Sequence, residues 1–178
     1  MSAKVLNYDD RRERAMRYFN EAYRRQKEGD LERAESYYRR SIALYATAEG
    51  FTFLVWTYSM RGRLEEAITE CKRALEIDPE FGNPYNDIGA YLIELGRLDE
   101  AVPYLRKAIV AKRYDCAFYA HYNLGRIWEM KSRFEEAASE YRRALEVNPY
   151  YLNAQHALKR LMRRIDRTGP TGAPRVES

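Results

Sequence analysis

The sequence has 178 residues, of which 33% are charged and 46% are hydrophobic, and its formal net charge is +4. This composition is typical of a folded domain with a substantial core, and it excludes an intrinsically disordered chain. Because 31 Lys and Arg residues are interleaved with 27 Asp and Glu residues, the mildly basic balance does not by itself indicate nucleic-acid binding.

No apolar run approaches the roughly 20 residues that a membrane-spanning helix requires. The opening residues, MSAKVLNYDDRRER, lack the apolar centre of a secretory signal peptide. Cys71 and Cys116 are isolated, without the spacing of a metal motif or a disulfide framework, so both are predicted to be small hydrophobic residues of the interior. The sequence therefore predicts a cytoplasmic protein that does not associate with membranes.

One phrase recurs along the chain in four versions. They are DLERAESYYRRSIALYA (30–46), RLEEAITECKRALEIDP (63–79), RLDEAVPYLRKAIVAKR (97–113) and RFEEAASEYRRALEVNP (133–149). An alanine occupies the same place in each version, and the successive spacings are 33, 34 and 36 residues (Ala34, Ala67, Ala101, Ala137). Repetition at this spacing indicates a repeat architecture.

Each repeat contains two segments with the periodicity of an amphipathic helix. A turn residue separates the two segments in every repeat (Gly29, Gly62, Gly96, Ser132). In the second segment small residues recur seven positions apart, as in Ala67 and Ala74, which places them on one helical face where a neighbouring helix can approach closely. Pro103 lies near the start of its helix, so we expect a slight bend there and no break.

A helix pair with a period near 34 resembles the tetratricopeptide repeat (TPR) family. In the family's frame, large residues are followed by small ones at fixed positions, and the repeat beginning at Ala48 carries Phe51, Leu54, Tyr58, Ala67 and Ala74 there. The first repeat matches least well, and the third has two extra residues near KRYDCAF (112–118), which predict a lengthened helix or turn. The resemblance covers about residues 13–166.

The resemblance implies an all-α fold, a right-handed α-solenoid of four TPR helix pairs with a C-terminal capping helix. The predicted organisation comprises an N-terminal segment, the TPR domain and a disordered tail (1–12, 13–166, 167–178). Within the domain we predict units at about 15–47, 48–81, 82–117 and 118–151, and the capping helix at 152–166.

The sequence offers no recognisable catalytic machinery. It lacks a glycine-rich phosphate loop, and its two histidines do not form a nucleophile–base arrangement with a neighbouring Ser or Cys. His121 occupies a position that the family uses for packing, so it is predicted to belong to the core. We therefore predict a protein that is not an enzyme, with no metal site and no cofactor.

The first helix of each repeat has a second face, nearly opposite its packing face. In an isolated amphipathic helix this face is polar, whereas in TPR proteins it lines the concave groove that binds a peptide. Here it combines aromatic, amide and basic residues. The predicted peptide-binding residues are Phe19, Asn20, Tyr23, Phe53, Trp56, Asn86, Asp87, Tyr122, Asn123, Arg126, His156 and Arg160.

These residue types have distinct predicted roles. Aromatic side chains would anchor the peptide, because binding energy concentrates in such residues. The carboxamides of Asn20, Asn86 and Asn123 would bind the peptide backbone, since each has a donor and an acceptor. Arg126 and Arg160 would select acidic residues.

Two alternatives remain open from the sequence. The aromatic face could instead be buried in a homodimer, which would make the protein a self-associating structural TPR protein. The basic stretch KRLMRRIDR at 159–167 could contact nucleic acid, but a solvated face of the capping helix explains it better. The leading hypothesis is an adaptor or scaffold that binds a peptide segment of another protein.

Overall fold

A computed structural model describes residues 8–168, and this part of the chain folds into nine α-helices without a β-strand. One isolated parallel bridge joins Phe81 and Arg113. The helices are α1 (Tyr8–Lys27), α2 (Leu31–Leu44), α3 (Ala48–Met60), α4 (Leu64–Ile77), α5 (Gly82–Glu94), α6 (Leu98–Val110), α7 (Ala117–Met130), α8 (Phe134–Val147) and α9 (Leu152–Thr168). The predicted all-α class, a solenoid of helix pairs, is confirmed.

Three residues connect the two helices of each pair, and the middle one has a positive φ angle. Gly29, Gly62 and Gly96 have φ angles of 80°, 71° and 75°, and Ser132 has a φ angle of 59° in the fourth pair. Glycine adopts this left-handed conformation without steric cost, whereas serine pays a penalty for its Cβ atom. The four turn positions predicted from the sequence are therefore the points where the chain reverses.

The chain divides into two compact units, residues 1–80 and 81–178. The first contains α1–α4 and the second contains α5–α9. The boundaries predicted for the TPR domain and its repeats stay a prediction. Residues 1–7 of the predicted N-terminal segment, and the predicted disordered tail beyond Thr168, lie outside the described residues.

The close helix contacts of both units form at alanine and glycine. The seven repeat alanines in question are all 0% exposed (Ala34, Ala67, Ala74, Ala101, Ala108, Ala137, Ala144). At Gly125 a Cβ atom would lie 2.4 Å from the ring of Tyr141, and at Gly89 it would lie 2.4 Å from Leu105. The sequence frame thus locates the contacts where one helix packs directly on the next.

The first repeat, the least regular, keeps Ala34 but buries two polar side chains that find partners. Ser41 stands where later repeats have alanine, and its buried hydroxyl donates to the carbonyl oxygen of Ala15 at 2.8 Å. Gln26 is also buried, and its side-chain oxygen accepts a hydrogen bond from the hydroxyl of Tyr38 at 2.7 Å. These hydrogen bonds offset the cost of removing the polar groups from water.

Helix α9 covers the last pair of the second unit. Its Ala157 and Leu161 are buried in one cluster with Phe134, Ala138 and Tyr141 of α8. Helix α6 runs without interruption through Pro103. The two extra residues of the third repeat lengthen no helix; they extend the connection 111–116 between α6 and α7.

The two cysteines lie in different surroundings. Cys71 is buried in α4, as predicted, whereas Cys116 is only partly buried just before α7. His121, predicted to belong to the core, is only partly buried, and its Nδ1 atom lies 2.7 Å from a carboxylate oxygen of Glu140. Among residues 8–168 no helix is both long and apolar enough to cross a bilayer.

Replacing Ala67, Ala101 or Ala137 with leucine should lower the free energy of unfolding by about 1–3 kcal/mol, because each site is already filled and extra methylene groups must displace a packed helix. Ala43→Leu on the exposed side of α2 is the matched control and should change stability little. Urea unfolding monitored by circular dichroism measures both. Equal stabilities for the core and control variants would contradict the packing described above.

Leu161→Ala should destabilise the second unit by about 2–5 kcal/mol, since it leaves a cavity under the α9 cap. Leu152→Ala in the same helix is the control, because Leu152 is 61% exposed. If thermal melts of the two variants coincide, α9 does not contribute to the core as its burial indicates.

Candidate functional site

In the first unit, the faces of α1 and α3 opposite their packing faces carry an aromatic cluster. The ring of Phe53 packs edge-on against Phe19 at a centroid distance of 4.8 Å and against Tyr23 at 6.0 Å. Phe19 and Phe53 also contact the buried ring of Tyr38. The rings that the sequence placed on this face do lie together. Phe19 and Phe53, however, pack mainly against each other and against Tyr38.

Large apolar side chains beside this cluster are exposed to solvent. The side chain of Trp56 is 53% exposed and that of Met60 is 51% exposed, although both follow the buried Leu54 in the same helix. Tyr23 is 38% exposed, and the ammonium group of Lys27 lies 4.5 Å from its ring centroid. Asn20 is also exposed. We call the set Tyr23, Phe53, Trp56 and Met60 the aromatic patch.

In the second unit, the corresponding face of α5 and α7 is polar. Arg126 donates to the side-chain oxygen of Asn123 at 3.2 Å, and Asn123 donates in turn to that of Asn86 at 3.1 Å. Asn86 donates to a carboxylate oxygen of Asp87 at 3.5 Å. The amides are thus aligned in one direction, from a cationic donor to an anionic acceptor.

These hydrogen bonds occupy donor and acceptor groups of Asn86 and Asn123, the amides that the sequence predicted to bind a peptide backbone. Asn123 is only 6% exposed, and both ends of its amide have partners within the unit. Tyr122, next to it, packs against Tyr151 and Tyr141 at centroid distances of 5.3 and 5.7 Å. Their assignment to peptide binding stays a prediction.

Asp87 lies at a small pocket formed by α5, the connection 111–116 and the start of α7. The pocket has a volume of about 300 Å³ and is lined by Asn83, Asn86, Asp87, Tyr114, Cys116 and Tyr119. Burial raises the pKa of the Asp87 carboxyl to about 6, and the hydrogen bond from Asn86 only partly opposes this shift. We call it the Asp87 pocket.

Tyr114 contributes a hydroxyl group that is buried and has no hydrogen-bond partner. An unsatisfied buried polar group of this kind costs about 1–3 kcal/mol. Burial, together with the nearby carboxylate of Asp87, also raises the pKa of the Tyr114 hydroxyl. Sequence reasoning did not identify Tyr114 or Tyr119; the available signal was the longer spacing between the third and fourth repeats.

The two predicted residues of α9 lie apart from this pocket. Arg160 forms an ion pair with Glu129 at 2.8 Å, and the same carboxylate accepts a hydrogen bond from the hydroxyl of Tyr141 at 2.8 Å. His156 and Arg160 border an open basic depression on the surface of α9. A carboxylate of a bound peptide would therefore have to compete with Glu129 for Arg160.

The carboxyl of Asp87 should make stability depend on pH. Its pKa near 6 in the folded protein lies above the ordinary aspartate value of about 3.9, so the folded state keeps a proton that the unfolded chain releases. The contribution of Asp87 to wild-type stability should therefore fall as pH rises from about 4 to about 6. Asp87→Asn removes this contribution.

The stability of Asp87→Asn relative to wild type should consequently rise by on the order of 1 kcal/mol across that window, a value reduced for partial solvent screening. Asp115→Asn is the control, because Asp115 is an exposed aspartate in the connection 111–116. Urea unfolding at pH 4.5 and pH 7 tests this, and parallel pH profiles for wild type and Asp87→Asn would refute it.

Comparison with known proteins bears on these surfaces only through the fold. Three of the solved structures that share it are one from the functional characterization of Pseudomonas aeruginosa pilF, MamA residues 41 to the end from Desulfovibrio magneticus RS-1, and YrrB, described as a TPR protein with an unusual peptide-binding site. Their TM-scores are 0.78, 0.72 and 0.68, each at 20% identity. The alignments cover 90%, 86% and 85% of this chain and 73%, 86% and 80% of those chains.

A search of curated proteins found no match. The family model described as tetratricopeptide repeat matches residues 19–80 and 86–151, which is well over half of the chain. The match spans the four turns with positive φ angles and the buried alanines of all four helix pairs. The chain therefore belongs to the tetratricopeptide repeat family.

Proposed function

We propose that this protein is a non-enzymatic interaction module that binds a peptide segment of a partner protein on the first-helix faces of its repeats, as an adaptor or scaffold. The TPR family generally mediates contacts between proteins. The proposal adds the kind of ligand, a peptide segment, and the surfaces that would receive it.

The aromatic patch of the first unit carries the proposal. Trp56 and Met60 are each about half exposed, one turn apart on α3, while the opposite side of that helix is buried. Exposing this much apolar surface is unfavourable in water, and a contiguous exposed apolar patch commonly marks a binding surface. Phe53 cannot relieve the exposure, because its ring is held between Phe19 and Tyr38.

The rigidity of this cluster favours binding. A side chain that is already held by its neighbours loses little conformational entropy when a ligand packs on it. Trp56 is the expected anchor, since it combines a large apolar area with an indole N–H that can donate a hydrogen bond at the edge of the interface. The solved structure of YrrB, whose title describes a peptide-binding site, supports the use of this fold for such a ligand.

A second candidate function rests on the same observation. The aromatic patch could be covered by a second copy of the chain, and the protein would then be a self-associating TPR protein. Light scattering over a range of protein concentrations separates the two. A monomer leaves the patch available for a partner, whereas a dimer that dissociates on Trp56→Ala would favour the second function.

We further propose that the protein acts in the cytoplasm. Cys116 is a free thiol that is partly accessible to solvent. Free thiols of this kind persist in reducing compartments. Fractionation of the source cells would test this location.

Trp56→Ala should weaken peptide binding by about 2 kcal/mol or more, a loss typical of a central aromatic anchor. Peptides selected from a random library on the immobilised full-length chain provide the ligand, and calorimetric titration of one synthetic peptide provides the affinity. Leu54→Ala is the contrasting variant, because Leu54 is 2% exposed and belongs to the core.

Leu54→Ala should lower the melting temperature far more than Trp56→Ala does. Equal loss of stability in the two variants would make Trp56 a core residue. Unchanged affinity in Trp56→Ala, or the absence of any selected peptide, would refute peptide binding at the aromatic patch.

A further inference from the structure

The two extra residues of the third repeat build the Asp87 pocket. The backbone N–H of Gly82, at the start of α5, donates to the carbonyl oxygen of Arg113 at 3.2 Å and so ties the connection 111–116 to that helix. A Cβ atom at position 82 would lie 2.3 Å from the Cβ atom of Tyr114. Only glycine therefore allows Tyr114 to pack against α5 beside Asp87.

The pocket presents more acceptors than its own residues can satisfy. The hydroxyl oxygen of Tyr114 is buried without a hydrogen-bond partner. The carboxylate of Asp87 receives one long hydrogen bond, 3.5 Å from Asn86, and it forms no salt bridge within the described chain. Asn83 adds an exposed carboxamide at the pocket mouth.

The hydrogen bonds behind the pocket reinforce this polarity. They run from Arg126 through Asn123 and Asn86 to Asp87. The side-chain amides of both Asn123 and Asn86 donate in the direction of Asp87. The guanidinium group of Arg126 donates to Asn123, at the opposite end of this series of hydrogen bonds from Asp87. It therefore does not pair with the Asp87 carboxylate. What the pocket lacks is a positively charged donor.

We propose that the Asp87 pocket binds the cationic side chain of an arginine or lysine residue in the partner's peptide segment. This inference rests on the proposed function, and it names the chemistry that the second unit recognises. The cation would donate to the carboxylate of Asp87. Such charge-assisted hydrogen bonds are stronger than neutral ones.

The aromatic lining suits the same ligand. Tyr119 lies at the pocket wall, and its ring packs against Phe118 and Tyr151 at centroid distances of 4.2 and 5.3 Å. An aromatic ring attracts a nearby cation through its electron-rich face, and it packs against the aliphatic stem of lysine or arginine. A metal ion fits less well, because within residues 8–168 no group of three or more potential ligands is assembled.

The proposal also revises the expected selectivity of the protein. Sequence reasoning assigned selection of acidic residues to Arg126 and Arg160, but Arg126 donates to Asn123 and Arg160 is paired with Glu129. The carboxylate of Asp87 receives a hydrogen bond from Asn86 and has no ion-pair partner among the described residues. The Asp87 pocket is therefore complementary to a basic side chain.

The test uses the full-length ¹⁵N-labelled chain and three synthetic peptides, acetyl-Gly-Ser-X-Ser-Gly-amide, in which X is arginine, lysine or citrulline. Citrulline keeps the shape of arginine but carries no charge. At pH 7.5 the arginine or lysine peptide should cause saturable shifts at the amides of Asp87 and Tyr119. The citrulline peptide should bind roughly tenfold more weakly or worse, as expected when a charge-assisted hydrogen bond is lost.

Variants locate the binding. Asp87→Asn should weaken binding of the arginine peptide by roughly tenfold. Tyr114→Phe should leave that binding intact and keep the melting temperature unchanged or raise it, because it removes an unsatisfied buried hydroxyl. Asp115→Asn removes an equal negative charge from the connection 111–116 at a residue that does not line the pocket. This variant should bind the arginine peptide as wild type does. Equal binding of arginine and citrulline peptides, or no saturable shift up to about 20 mM, overturns the proposal.

The outcomes distinguish this inference from the proposed function. If selected peptides depend on Trp56 but bind equally well to Asp87→Asn, the interaction module stands and the cation pocket is wrong. If the arginine peptide binds at Asp87 but no library peptide depends on Trp56, the pocket stands and the aromatic patch is wrong. A wild-type dimer that Asp87→Asn dissociates would assign the pocket to a second copy of this chain and would overturn a partner's segment as its ligand.

Discussion

Contact between helix backbones depends on positions where a side chain has almost no volume. Ala67, Ala101 and Ala137 are fully buried, and Gly125 faces the ring of Tyr141 at a distance that leaves no room for a Cβ atom. When two helices meet in this way, their remaining side chains are forced outward to the flanks of the contact. The orientation of the first helices, and hence the face that they expose, follows from this constraint.

The two units use the exposed face for different chemistry although the backbone pattern is the same. In the first unit the face bears large rings, and the packing of Phe53 against Phe19 and Tyr23 leaves Trp56 exposed beside them. In the second unit the face bears a directed chain of hydrogen bonds that ends at Asp87. An apolar side chain of a ligand would complement the first surface, and a basic side chain would complement the second.

The Asp87 pocket shows how a small departure from the repeat creates chemistry that the repeat lacks. The connection 111–116 is held at Gly82 and carries Tyr114 into the interior, where its hydroxyl stays without a partner. That arrangement is costly to the folded protein. Unsatisfied groups of this kind are uncommon in folded proteins, which makes the pocket a stronger functional candidate than an exposed charge.

The sequence by itself determined the helix pairs, their turns and their close contacts, because these depend on local periodicity, on glycine or serine at a left-handed position and on recurring alanines. Helical spacing together with the repeat register also placed Phe19, Tyr23 and Phe53 on corresponding faces of α1 and α3. Only the tertiary structure decided how those side chains are used. Whether an amide such as that of Asn123 faces a ligand or a neighbour depends on residues distant in sequence, here Asn86. Tyr114 lies beside Asp87 only because the lengthened connection 111–116 packs against Gly82.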